Sequence, residues 1–275
     1  ALLHEPGIIF EVFAVECCTA PNGDQQVVGY FDNPDIAARE IIQLDQATYP
    51  KAIYTNLNPI RSDAGEVSLN EFENCRTRCT DADVVRHRWL LVDLDPQGLD
   101  HGSSSTQQLD AGRLLAEEVS STLSEMAEWP APVICCSGNG WHLLYRVDLE
   151  NNTANTRLTG GVLSELSQRF SNENFRIDTA VGNPGTLTKC YGSFARKGAN
   201  TPDSPWRRSW IENVPEIIEP ITRQQLQVFA PGPQRSVSVP SAPGPRVDVR
   251  AYLQRYDVVF SETILPDNTI RYDLA

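Results

Sequence analysis

Two aspartates one residue apart, Asp93 and Asp95, close the apolar run Trp89-Leu90-Leu91-Val92, and the turn Ser137-Gly138-Asn139-Gly140 leads into Trp141 and His142 farther along the chain. Side chains two apart in a strand share a face, so both carboxylates would enter one space while Val92 and Leu94 anchor the opposite face. Paired hard oxygen ligands suit a divalent cation. Mg²⁺ in particular takes one or two protein carboxylates and completes its shell with water and substrate phosphates. Acid pair, glycine turn and histidine in this order point to phosphoryl transfer on a metal-bound nucleotide. An Asp-x-Asp also arises wherever a strand meets a turn, and Asp95-Pro96 fits that reading too.

Gly138 and Gly140 permit positive φ, which would free backbone N–H groups of the turn to converge on an anion such as a triphosphate. His142 follows where an imidazole could bond a phosphate oxygen. A histidine among apolar residues can equally be a core residue, and only its company favours the site. A third acid, Asp178, ends Phe175-Arg176-Ile177 before the loop Asn183-Pro184-Gly185 and could complete the metal set. Lys189, within Leu187-Thr188-Lys189-Cys190-Tyr191-Gly192-Ser193, offers a point charge for phosphates. Lys189, Arg196, Lys197, Arg207 and Arg208 make the stretch from Gly185 to Trp210 the most basic of the chain, with Asp203 as its single acid. Such a window is either a nucleic-acid contact or a solvated face.

These residues need a scaffold. Residues 8–16 are rich in β-branched and aromatic types and predict a strand. Asp32-Asn33-Pro34 supplies cap and first-turn chemistry for a helix whose apolar face is Ile36, Ala37, Ile41, Ile42 and Leu44. Lys51 to Thr55 predicts the next strand. After the Asp-x-Asp strand and a polar Gly- and Ser-rich loop, Leu109, Leu115, Val119, Leu123 and Met126 recur at helical spacing, and Pro130 and Pro132 end that helix. Val133–Cys136 and Leu143–Val147 predict antiparallel strands around the glycine turn, followed by a helix through Leu158, Val162, Leu166 and Phe170. Alternating helices and strands predict an α+β or α/β sheet domain.

At 275 residues with a net charge of -13, the chain has the composition of an ordinary globular protein and is too acidic for a general nucleic-acid coat. It contains no apolar run near membrane-spanning length, and its start lacks a signal peptide's basic and hydrophobic regions, so a cytoplasmic protein is expected. The cysteines include the adjacent pairs Cys17-Cys18 and Cys135-Cys136, unlike a secreted disulfide framework, and reduced thiols are expected. Cys75 and Cys79 with His87 or His101 would make half a zinc site, but the remaining ligands have no recognisable spacing. Residues 231–245 are too proline-rich to pack and predict a linker between a domain over 1–230 and a tail over 246–275. That tail is too short for its own core and reads as the start of a truncated following domain.

Val92-Asp93-Leu94-Asp95-Pro96, Ser137-Gly138-Asn139-Gly140-Trp141-His142-Leu143-Leu144-Tyr145 and Ile177-Asp178, in this order, resemble the three motifs of archaeo-eukaryotic primases. The likeness covers residues 7–215 and is closest to primase-polymerases of phages, plasmids and other mobile elements. Tyr54-Thr55-Asn56-Leu57-Asn58-Pro59, Lys189-Cys190-Tyr191-Gly192-Ser193 and Lys197-Gly198-Ala199-Asn200-Thr201-Pro202 support it. The resemblance implies a catalytic sheet like an RNA-recognition motif joined to an N-terminal α/β module, with the active site in the cleft between them. It implies that Asp93, Asp95 and Asp178 hold two Mg²⁺ or Mn²⁺ ions. Ser137, Gly138, Asn139, Gly140, His142 and Lys189 would bind nucleotide phosphates, and Asn56 and Asn58 would frame the cleft. Cys136 and Trp141 depart from the pattern, which expects a polar residue and a smaller aromatic there.

The activity implied is that of a template-dependent primase and DNA polymerase in replication of a phage, plasmid or mobile element. It would add nucleoside triphosphates or their deoxy counterparts to a 3′-hydroxyl on a single-stranded DNA template with its primer, with Arg196, Lys197, Arg207 and Arg208 as nucleic-acid contacts. No G-x-x-x-x-G-K-[ST] loop occurs, so a helicase partner would lie beyond Ala275 or in another protein. Two other readings fit parts of the pattern. One is a glycosyltransferase whose Asp-x-Asp holds a metal-bound nucleotide sugar, which leaves the Ser-Gly-Asn-Gly-x-His turn unexplained. The other is a catalytically silent replication-initiation module, which the three complete acids disfavour.

Overall fold

The computed structural model describes residues 2–17, 25–62, 68–75, 77–99, 102–230, 260–264 and 270–274, the last two segments as backbone. The chain divides into a unit over Ala1–Gly232 and a unit over Pro233–Ala275. The expected linker over 231–245 lies outside the described residues. Within the second unit, Phe260–Ile264 and Ile270–Leu274 pair as an antiparallel hairpin. No helix among the described residues is long and apolar enough to cross a membrane.

The first unit is mixed α+β with two five-stranded antiparallel sheets. Its first sheet has the order β4-β2-β1-β3-β9, from strands β1 (Phe10–Cys17), β2 (Gln25–Phe31), β3 (Ala52–Asn56), β4 (Glu71–Asn74) and the late β9 (Leu187–Lys189). Both faces of β1 are covered. Phe10, Val12 and Ala14 pack with Phe31, Ile53 and Ala37 under helix α1 (Pro34–Thr48), while Phe13 packs with Val28, Tyr30 and Ile60 on the reverse. Asn33 caps α1 as expected, its Oδ1 accepting from the Asp35 and Ile36 amides at 2.9 and 3.2 Å, with Pro34 in the first turn.

Glu11 lies fully buried among these apolar side chains and is satisfied by several donors. Arg78 Nε donates to Oε1 at 2.9 Å, while the Tyr30 hydroxyl and the Cys79 amide donate to Oε2 at 3.1 and 2.8 Å. Cys75 and Cys79 are free thiols, and burial followed by the Glu11 charge raises both above the usual thiol range. The cluster of Cys, His, Asp or Glu suited to a metal among the described residues lies elsewhere, at Asp93, Asp95 and Asp178.

The second sheet has the order β12-β6-β7-β5-β8, from β5 (Arg86–Pro96), β6 (Val133–Cys136), β7 (Trp141–Glu150), β8 (Phe175–Ile177) and β12 (Trp210–Asn213). Helix α2 (Thr106–Ala127) joins β5 to β6 and α3 (Thr153–Phe170) joins β7 to β8, so the connections run β-α-β-β-α-β. Leu90, Val92 and Leu94 of β5 and Leu143, Tyr145 and Val147 of β7 pack against Leu109, Val119 and Leu123 of α2 and Val162, Leu163 and Leu166 of α3. Helix α4 (Arg223–Phe229) closes this core with Leu226 and Phe229 against Trp129. Between β9 and β12, the ribbon of β10 (Phe194–Ala195) and β11 (Arg207–Arg208) flanks the site.

Several elements depart from the periodicity. Met126 is half exposed, because the buried stripe of α2 is Leu109, Gly112, Ala116, Val119, Leu123 and Ala127, in which small residues let the helix approach the sheet. Strand β2 contains a glycine that reads as a breaker. A Cβ at Gly29 would sit 2.6 Å from the Phe31 ring and 2.8 Å from the Glu71 carbonyl oxygen, so close approach of neighbouring chain requires it. Strand β4 carries two glutamates and lacks apolar alternation because it is a sheet edge.

Candidate active site

The helices cover one face of the second sheet, and the opposite face carries Trp89, Leu91, Asp93 and Asp95 along β5. Trp89 and Leu91 pack with Leu57, Val133, Cys135 and Leu144, which anchors the strand below the acids. Asp93 pairs in register with His142, and His142 with Cys135, so thiol, imidazole and carboxylate form a row across three strands. The Asp178 amide donates to the Asp93 carbonyl oxygen at 2.9 Å, immediately past the register that opposes Asp95 to Arg176. One oxygen from each of Asp93, Asp95 and Asp178 thereby lies within 4.8 Å of the others.

This arrangement fits a divalent cation. Asp93 Oδ1 is buried without a hydrogen-bond partner, an expensive state for an anionic oxygen unless a cation shares the site. The three carboxylates are hard oxygen ligands of the kind that suit a divalent cation such as Mg²⁺ or Mn²⁺. Burial, followed by the charge of Asp93, pushes Asp95 up to about 6, even though His142 and Lys197 pull the other way.

His142 is buried and held through Nδ1, with Nε2 turned toward the acids. Nδ1 lies 2.7 Å from the Tyr191 hydroxyl and 3.3 Å from Thr188 Oγ1, while Nε2 lies 3.3 Å from Asp93 Oδ1. Burial holds the Tyr191 phenol well above its ordinary range, so it keeps its proton and can donate to Nδ1. That tautomer leaves an N–H on Nε2 directed toward the acids. The Nε2 contact to Asp93 lacks hydrogen-bond alignment, so this donor is open to an incoming acceptor.

Across from the acids stands the edge of the first sheet. Tyr54 on β3 pairs in register with Lys189 on β9, and both line a cavity of about 270 Å³ together with Asp93, Asp95 and His142. Lys189 is buried, donates to the Phe194 carbonyl at 2.7 Å and lies 5.6 Å from the centre of the Tyr54 ring. Burial lowers its pKa to about 8. Ser137 and Asn139 bring the glycine turn to the same cavity, and Lys197 reaches it from beyond β10.

The turn itself differs from the expected anion nest. The Gly140 amide donates to Ser137 Oγ at 2.9 Å, the Asn139 amide to the same oxygen at 3.4 Å, and the Gly138 amide to Cys136 Sγ at 3.4 Å. These donors are engaged internally, and Asn139 Oδ1 accepts from the Ser104 amide at 3.1 Å. Gly138 takes the expected positive φ, and Gly140 serves close approach. Gly138 has φ +97°, and a Cβ at Gly140 would lie 2.6 Å from the Leu94 carbonyl oxygen.

Other sequence candidates are placed as braces. Asn56 Oδ1 accepts from the Glu11 amide at 2.7 Å, and Asn58 Oδ1 accepts from the Arg88 and Trp89 amides at 2.6 and 3.1 Å. Arg196 forms a largely buried ion pair with Asp45 at 2.7 Å and also donates to the Pro50 carbonyl. Arg207 donates to the Ser104 carbonyl and Thr106 Oγ1, and Arg208 to the Gly192 carbonyl. Of this basic set, Lys197 is the exposed cation that lines the cavity. Cys136 and Trp141 are core residues on the helix face, where Trp141 Nε1 donates to the Leu109 carbonyl at 2.8 Å.

Tyr54, Arg176, Thr188 and Tyr191 had no role in the sequence reading. Tyr54 and Tyr191 lay inside quoted motifs as aromatics with strand spacing, but nothing in the spacing pairs either with Asp93 or His142. No protein-family model matches this chain, and no curated protein gives a significant match to it.

Proposed function

We propose that the chain is a template-dependent nucleotidyltransferase, a primase-polymerase that joins nucleotides to a 3′-hydroxyl with release of pyrophosphate. The observation that carries this reading is the convergence of Asp93, Asp95 and Asp178 beside a cavity that also presents His142 and Lys189. The second sheet is read, within the same proposal, as one like an RNA-recognition motif, which its β-α-β-β-α-β connections and the order β6-β7-β5-β8 support.

Asp93, Asp95 and Asp178 would hold Mg²⁺ or Mn²⁺, which when bound lowers the cost of a reactive hydroxyl and of charge on the departing pyrophosphate. His142 donates from Nε2 to a phosphate oxygen, positioned by Tyr191 and Thr188 behind it. Lys189, fixed by the Phe194 carbonyl, supplies a buried positive charge to the triphosphate. Tyr54 and Leu187 wall the nucleotide against water. Replication of a phage, plasmid or mobile element is the setting proposed, with a primed single strand as the second substrate.

The test is synthesis on primed and unprimed single-stranded templates with all eight nucleotides and either metal. Wild-type protein is expected to lengthen the strand, and Asp93→Ala is expected to abolish this while its circular dichroism is unchanged. Sugar transfer from a nucleotide sugar in the same buffer, with no strand lengthening, would replace this reading with that of a glycosyltransferase.

A further inference from the structure

A second cavity, of about 280 Å³, adjoins the nucleotide cavity and shares Asp95, Asn139 and Lys197 with it. Its remaining wall is Pro96, Gln97, Gly98, Leu99 and Arg176. Asp95 thus stands between two spaces of nearly equal size, one holding His142 and Lys189, the other holding Arg176.

Arg176 is placed by sheet register. It opposes Asp95 directly in the β5–β8 pair, and Asp178 follows two residues later on the same face. An arginine opposite an aspartate would ordinarily close an ion pair. Here Arg176 is exposed and, among the described residues, its side chain has no hydrogen bond or ion pair, and the same holds for Lys197. The floor between them is fixed: the Gln97 amide donates to the Asn174 carbonyl at 2.8 Å and Gln97 Nε2 to the Asn172 carbonyl at 2.6 Å, while Gly98 turns the chain at φ +72°. Two cations that line one cavity with Asp95 and a fixed stretch of chain have the chemistry to bind phosphate oxygens.

Nucleotidyl transfer has two substrates, and the attacking hydroxyl oxygen must approach the phosphorus opposite the bond to the departing pyrophosphate oxygen. With the triphosphate against Lys189 and His142, the strand that supplies the hydroxyl belongs on the other side of Asp95. We propose that the second cavity is the primer-terminus subsite, in which Arg176 and Lys197 bind phosphodiesters adjoining the attacking 3′-hydroxyl. This rests on the function proposed above and assigns the place of its second substrate.

The test compares wild type, Arg176→Gln, Arg176→Lys and Lys197→Gln in primer extension and in fluorescence anisotropy with a primer ending in a dideoxynucleotide, which reads binding without chemistry. Arg176→Gln is expected to raise the primer KM about tenfold with the nucleotide KM unchanged, Lys197→Gln, whose side chain borders both cavities, to raise the primer KM at least as much as the nucleotide KM, and each to flatten the salt dependence of binding by about one phosphate contact. Arg176→Lys should recover most of the affinity because it keeps the charge. A rise in nucleotide KM for Arg176→Gln instead would overturn the proposal, as would an equal loss of affinity for unprimed single strands, which would make these residues template contacts. If wild type binds the primed strand but extends nothing, the polymerase reading fails while the anisotropy series still decides the subsite. Equal binding by wild type and both glutamine variants overturns the subsite alone.

Discussion

Asp95 concentrates the electrostatic strain of the site. Its carboxyl keeps a proton up to about 6, whereas an ordinary aspartate loses it near 3.9, so between those values the folded state binds more protons than the unfolded chain. Stability from this group is therefore present below about pH 4 and lost as pH rises through about 6, leaving the metal-free protein strained by about 2–3 kcal/mol at neutral pH. Asp95→Asn is expected to raise the Tm of metal-free protein by about 2–6 °C while abolishing strand extension. Differential scanning calorimetry in chelator checks the first, and a fall in Tm would show that this carboxylate is not crowded. Mg²⁺ should raise the Tm of wild type and not of the variant. The pH profile of kcat/KM is expected to be bell-shaped at low metal concentration, with an acid limb near 6 from Asp95 and a basic limb near 8 from Lys189. More metal should displace the acid limb downward, since protons and cation compete for the same oxygens. Lys189→Arg should carry the basic limb beyond about 9 if lysine titration sets it.

At the scale of elements, two contacts decide whether the acids and the cleft hold their geometry. The turn between β6 and β7 lies so close to β5 that Gly140→Ala would drive a methyl group to 2.6 Å from the Leu94 carbonyl and 3.3 Å from Asp95 Oδ1. A loss of about 1–3 kcal/mol in urea unfolding is expected, with reduced extension because the strand carrying Asp95 must shift. Unchanged stability would mean that the turn accepts a methyl group without displacing β5. The first sheet depends on Glu11, whose burial is tolerable only with Arg78 beside it, the pair being 2.8 Å apart. Arg78→Met is expected to destabilise by about 3 kcal/mol, and the double variant Glu11→Gln with Arg78→Met should recover part of that loss. Additive losses would show that the two side chains are not coupled.

For the molecule as a whole, charge argues for weak and local attraction to a polyanion. The net charge is -13, and the basic window is largely spent internally, with Arg196 paired to Asp45 and Arg207 and Arg208 bonded to backbone carbonyls. Arg176 and Lys197 remain as free cations at the site. Binding of single-stranded DNA should therefore show a shallow salt dependence, about −2 or less steep in log K against log salt, since each phosphate contact contributes about −0.7. A slope near −5 would require a cationic surface outside this cleft. The fold brings the two sheets to one cleft through a late strand: β9 follows β5, β6, β7 and β8 of the second sheet in sequence yet pairs with β3 of the first, carrying Lys189 to the cavity that Asp93 lines.

Much of this was legible in the chain itself. Local rules identified β1, the Asn33-capped α1, the Asp-x-Asp strand, α2, the β6–β7 turn and α3, because caps, glycine turns and apolar spacing act over a few residues. They missed β2, where a glycine needed for close packing imitates a breaker, and β4, an edge strand without an apolar period. The sequence by itself determined which residue types are available for the chemistry: three acids, a histidine and a lysine, each at the end of a strand or turn. Tertiary structure alone decided that the acids share one space, that Tyr191 sits behind His142, and that Arg196 is a brace while Arg176 is free. Strand register and side-chain partners join residues far apart along the chain, and no local spacing encodes which distant group will complete a hydrogen bond or neutralise a charge.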